Sequence, residues 1–131
     1  MSNNKGFTLV ETLFVLVIIV ILSLLTMNIY IPVKSDQDII EEVTQILYQA
    51  KANSILYKEK TDIYFQKQSL KIQSKHYCNS YILTHQTSFS NYHFSYNEFG
   101  NIKTAKTVGF QGHHQKYSFI FQVGSGTFYV Q

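Results

Sequence analysis

KGFTLVETLFVLVIIVILSLL, residues 5–25, carries only two charges, Lys5 and Glu11. From Thr12 to Val33 there is no charged residue, a run of 22 positions. At 1.5 Å per residue a helix of that length crosses a hydrocarbon layer of about 30 Å. Thr8, Thr12, Ser23, Thr26 and Asn28 interrupt the apolar character only lightly, since hydroxyls can bond back to their own helix carbonyls. Glu11 is the anomaly. A carboxylate at membrane depth costs about 2.5–3.5 kcal/mol even on lenient insertion scales. Something must balance it.

Two common membrane segments fit poorly. A cleavable secretory signal has a basic start, an apolar core of about 7–15 residues and a small-residue cleavage site. Here the core is longer, the start holds one lysine, and the far end, LTMNIYIP, offers no such site. A plain signal anchor explains the length, and Lys5 before the span keeps the N-terminus cytoplasmic with the rest outside. It leaves Glu11 unexplained. Snorkelling of Glu11 to the interface is the bland account of it.

Lys5-Gly6-Phe7-Thr8-Leu9-Val10-Glu11 resembles the class III signal of type IV pilins and pseudopilins: a short polar leader ending in Gly, then Phe, a Glu five residues after the cut, and an unbroken apolar helix. The resemblance implies cleavage between Gly6 and Phe7 by a prepilin peptidase and N-methylation of the new Phe7 amine. Glycine at the cut keeps a side chain out of the protease cleft. The resemblance also implies that Glu11 meets the freed amine of a neighbouring subunit. Opposite charges attract far more strongly in a low-dielectric core than in water, so the pair would mark the register of assembly. The plan it implies is α+β: leader 1–6, transmembrane and assembly helix 7–33, amphipathic continuation 34–60, and a β-rich body 61–131 packed as a small antiparallel sheet. Implied partners are other pseudopilins, the peptidase, and indirectly an assembly ATPase and a platform protein. The implied location is the cell membrane, single-pass with the body outside, and a surface pilus after assembly.

The rest of the chain can be read on its own. Pro32 lacks an N–H and interrupts a helix. Residues 35–60 then repeat apolar positions at steps of three or four: Ile39, Val43, Ile46, Leu47, Ala50, Ser54 and Tyr57. Acids lead and lysines (Lys51, Lys58, Lys60) follow, which suits the helix dipole, and Ser35 or Asp36 can cap the start. From Thr61 the period becomes two. Residues 61–66 and 69–74 predict a hairpin, with further strands at 80–85, 91–97, 106–111, 116–123 and 126–131. Turns containing Gly112-His113-His114 and Gly124-Ser125-Gly126 suggest an antiparallel meander. Within the pilin-like group, the small size and the ending FQVGSGTFYVQ look most like the D-type minor competence pseudopilins of Gram-positive DNA-uptake systems. A secretion or surface-pilus pseudopilin and an unprocessed anchored binding protein remain as alternatives.

All 11 cationic residues are lysine, so bidentate phosphate or guanine recognition by Arg is excluded. His76, His85, His93, His113 and His114 show no metal-ligand spacing, and turns or surface positions are their expected places. No nucleophile motif or phosphate loop appears, so neither a catalytic residue, a metal nor a cofactor is expected. Cys78 is the sole cysteine and reads as a small buried hydrophobe. Six lysines between Lys51 and Lys75 face only Glu59 and Asp62, with Tyr57, Tyr64 and Tyr77 interleaved. Lys58, Lys60, Lys67, Lys71 and Lys75 are therefore candidate DNA contacts, phosphates on the lysines and bases on the rings. The same lysines would equally serve as the solvated face and guarded edge of a sheet.

Overall fold

The computed structural model describes residues 8–27, 34–83 and 86–131. Gly6, Phe7, Pro32 and His85 lie outside the described residues. Two compact units divide the chain, Met1–Val33 and Lys34–Gln131. In the first, helix α1 runs from Leu9 to Met27. Among the described residues no helix is long and apolar enough to cross a membrane; the expected span 7–33 extends beyond them.

In the second unit helix α2 spans Asp36–Leu56. Ser35 is its N-cap: its hydroxyl accepts from the Asp38 amide while the Asp38 carboxylate accepts from the Ser35 amide. This reciprocal pair satisfies two donors that a helix start otherwise leaves open. The stripe Ile39, Val43, Leu47, Ala50 and Ser54 is buried as its spacing predicts, whereas Tyr57 is half exposed beyond the helix end. Each large apolar side chain so buried contributes about 1.5–3 kcal/mol. Only Lys51 of the three expected basic residues lies within α2; the helix stops before Lys58 and Lys60.

It stops by a Schellman turn. Glu59 N–H donates to Ser54 C=O at 3.1 Å and Lys58 N–H to Ile55 C=O at 3.4 Å. The turn needs a left-handed residue after the cap, a place usually taken by glycine. Here Lys58 takes it, at φ 49°.

The strands are β1 (Thr61–Gln66), β2 (Ser69–Gln73), β3 (Cys78–Ile82), β4 (Ser88–Phe89), β5 (Tyr92–Tyr96), β6 (Lys106–Gln111), β7 (Lys116–Phe121) and β8 (Phe128–Val130). The β1–β2 hairpin has Lys67-Gln68 at its tip, as expected. The single meander is not what forms. Two four-stranded antiparallel sheets are present, β3-β2-β1-β5 and β4-β6-β7-β8. Strand β1 has partners on both sides, β2 and then β5, and turns Thr61, Ile63 and Phe65 to the core. The chain supplies the second by passing through the two-residue β4 in the other sheet and returning as β5. β4 is too short to show a period of two in the sequence.

One core joins both sheets and α2. Phe65 is its hinge, with rings of Phe89, Phe94, Phe119 and Phe121 within 5.1–6.4 Å of its own. Tyr48 of α2 lies 5.1 Å from Phe128 of β8. Outward-facing residues alternate with these: Asp62, Tyr64 and Gln66 on β1, Lys71 and Gln73 on β2, His93 and Ser95 on β5.

Candidate functional site

Two groups of residues outside the core carry chemistry. The first is the start of α1. Thr8 is the residue before the helix, and Glu11 reaches back to it: the Thr8 amide donates to Glu11 Oε2 at 3.1 Å, and the Glu11 amide to Thr8 Oγ1 at 3.3 Å. The Thr8 hydroxyl also donates to Glu11 Oε2 at 3.2 Å. This is a capping box. The Thr-x-x-Glu spacing carries its signal in the sequence, although Thr8 counts there only as a polar interruption of the apolar run. Glu11 thus balances part of its cost within its own helix start. Its carboxylate also stands near the positive end of the helix dipole.

Apart from Glu11, Thr12 and Ser23, residues Leu9–Leu25 present apolar side chains on every side, and all of the large ones are exposed. A helix that is apolar all round is built for lipid or for other helices. The family model of the prokaryotic N-terminal methylation motif matches residues 1–27. That motif supports a type IV pilin-like protein. No curated protein and no solved structure matches the chain. Gly6 and Phe7, the expected cut and methylated amine, lie outside the described residues, and Glu11 is four positions along the sequence from Phe7.

The second group is basic. The five candidate lysines do not form one strip. Lys67 is at the β1–β2 tip, at the far end of the sheet from Lys60, a six-residue strand away, or about 20 Å. Lys71 lies mid-strand on the outer face, directly opposite Tyr64. Lys75 is in the β2–β3 turn. Lys58 and Lys60 line one open cavity of about 520 Å³ with Ser95, Asn97, Glu98, Asn101 and Lys103. Lys103 is the member the sequence reading lacks. It is 43 positions beyond Lys60, and only the 97–103 loop brings it there.

Three of the described histidines are partnered by carboxylates, and among the described residues no group of them could hold a metal ion. His76 Nδ1 is 2.9 Å from Glu59, His93 Nε2 is 3.2 Å from Asp62, and His113 Nδ1 is 2.6 Å from Asp36. The first two are on the surface as expected. His113 is not: its side chain is 12% exposed and that of Asp36 8%. Asp36 also accepts from the amides of His113 (2.8 Å) and His114 (3.4 Å). Burial raises the Asp36 carboxyl, but the hydrogen bonds and charge of His113 and the His114 amide outweigh it, so it lies below its ordinary range. Cys78 is exposed, against the expectation of burial. It lies on the edge strand β3, whose alternation turns Cys78, Ser80 and Ile82 to solvent.

Proposed function

We propose that this protein is a minor pseudopilin. It is held in the membrane by the apolar segment with its N-terminus cytoplasmic and its body outside, and after processing it enters a short pilus or the complex that starts one. The observation that carries this reading is the methylation motif joined to a helix that is apolar on every side. Within the group we favour the D-type (ComGD-like) competence pseudopilin, a structural subunit of the pilus that takes up extracellular DNA. The small β-rich body and its glycine-rich ending support that choice.

The partners are other pseudopilins, with helices packed against residues 7–31, together with the peptidase, and indirectly the assembly ATPase and platform protein. Glu11 would exchange the Thr8 amide for the Phe7 amine of a neighbour. The exchange is favourable because a charged donor in a low-dielectric site makes about twice as strong a bond as a neutral one. The chain has no catalytic role in this reading.

Mass spectrometry of the cellular protein tests processing: the chain is expected to start at Phe7 and to carry one methyl group. An intact Met1–Gly6 segment would point instead to an anchored protein that never assembles. Glu11→Ala is expected to be processed normally yet to lose co-purification with its partners. Unimpaired co-purification would remove the charge-pairing role. Deletion is expected to abolish transformation; if secretion fails instead, the subunit belongs to a secretion system.

A further inference from the structure

We propose that the cavity beneath the end of α2 binds a phosphate of single-stranded nucleic acid, with Lys58 and Lys103 as its cationic contacts. The site rests on the body alone and does not need the assembly role, whose own test is N-terminal processing.

Four observations converge on it. The ammonium groups of Lys58 and Lys103 make neither an ion pair nor a hydrogen bond with any described residue, while that of Lys60 is held by Asp62 at 2.7 Å. The acid at the cavity is Glu98, so the cations outnumber it. Asn97 Oδ1 is taken by the amides of Phe99 (3.0 Å) and Asn101 (2.8 Å). That fixes its amide orientation and leaves Nδ2 as a free donor, beside the Ser95 hydroxyl in the same cavity. Free ammonium, amide and hydroxyl donors around one opening suit a phosphate oxygen. Finally, Lys58 holds a left-handed backbone in which glycine would be less strained. Strain retained at a side chain with no structural partner is a mark of a functional position.

The ligand class follows from the neighbouring row of the sheet. Ser95 pairs with Asp62, and one row along His93 pairs with Tyr64, about 7 Å away. The two rings stack, with centroids 4.3 Å apart and planes 12° from parallel, and Lys71 lies opposite Tyr64 on the other side. An aromatic platform next to a phosphate cradle is what an unpaired strand uses, since every base has a π face and a duplex hides it. A free phosphate would use the cradle and ignore the rings.

The test is fluorescence anisotropy of a labelled oligo(dT) with the full chain in neutral detergent, over a salt series. Binding is expected at low salt. Lys58→Ala with Lys103→Ala should weaken it at least tenfold and reduce the log–log salt slope by about 0.7 for each lysine removed. Tyr64→Ala should weaken it about tenfold or more, and Lys116→Ala, on β7 of the other sheet, should leave it unchanged. A duplex of equal length should bind more weakly. Lys58→Gly separates fold from function: it is expected to raise the thermal midpoint while weakening binding, whereas a purely structural lysine would move the midpoint alone. Absence of binding at low salt, or an unchanged double variant, would overturn the site. Competition by inorganic phosphate or polyphosphate, phosphate for phosphate, would overturn the assignment to nucleic acid, and a duplex bound as tightly would overturn single-strandedness.

Discussion

Asp36→Ala is expected to lower the stability of the body by about 3 kcal/mol, an estimate built from the donors it would leave behind. Asp36 is at the first turn of α2 and is buried under the β6–β7 turn. It accepts from the His113 amide, the His113 ring and the His114 amide. Each buried donor left without an acceptor costs about 1–3 kcal/mol. Loss of the pair also frees the turn that anchors the start of the helix. For a body of this size about 3 kcal/mol corresponds to a fall of more than about 10 °C in the unfolding midpoint.

The pH dependence has a definite sign. The Asp36 carboxyl lies below its ordinary range when folded. Its contribution is therefore fully present above the unfolded value, about 3.9, and is lost as pH falls through the folded value. Denaturant melts of the full chain in neutral detergent from pH 6 down to pH 2 should show a shallower acid limb in Asp36→Ala than in the parent. Equal limbs would mean that the carboxylate carries no linkage. Gly112→Ala offers a second approach to the same clasp. A Cβ there would overlap the Asp36 carboxylate, so it should destabilise in the same direction while leaving every ionisable group in place.

That clasp also shows where reading the sequence stops. The stripe of α2 was legible because helical spacing is local: Ile39, Val43, Leu47 and Ala50 announce their common face within a dozen residues. β1 and β6 match their predicted bounds for the same reason, since alternation is local and their flanks carry turn residues. Asp36 and His113 are 77 positions apart, and no local period links a carboxylate to a histidine at that distance. Lys103 joined Lys58 for an equally non-local reason, the course of the 97–103 loop. A small thiol such as Cys78 reads as core wherever it falls; only the position of β3 at the edge of its sheet turns it outward. The motif at the N-terminus lies at the opposite extreme. Gly6, Phe7, Thr8 and Glu11 are close enough for both the signal and the cap to be written in six letters. The same Glu11 carboxylate serves both: it caps its own helix start and carries the charge that points to a partner.

Gly126→Ala should be at least as damaging as Asp36→Ala, and the neighbouring Gly124→Ala far less so. Both glycines are left-handed, with φ of +61° and +83°. A side chain in that conformation costs about 1–2 kcal/mol. For Gly124 this is the whole cost, because a Cβ there meets nothing within 4 Å. For Gly126 the Cβ would overlap the carbonyl oxygen of Gly100 and press on the Tyr96 ring, 3.0 Å away. Neither neighbour can yield. Tyr96 is fully buried, and Gly100 is itself packed beneath Ile55 and Lys51 at the end of α2. Overpacking of this kind adds about 1–3 kcal/mol, and because the contact is with fixed backbone the total lies toward the upper end of about 2–5 kcal/mol. The 124–126 turn is further tied to the helix by Lys51, whose ammonium donates to Ser125 C=O at 2.7 Å. Displacing the turn therefore strains the helix end and the β7–β8 pairing together. Thermal melts should rank the parent above Gly124→Ala, and Gly124→Ala well above Gly126→Ala. Equal midpoints for the two variants would mean that the close approach of Gly126 to Gly100 does not hold this end of the body together.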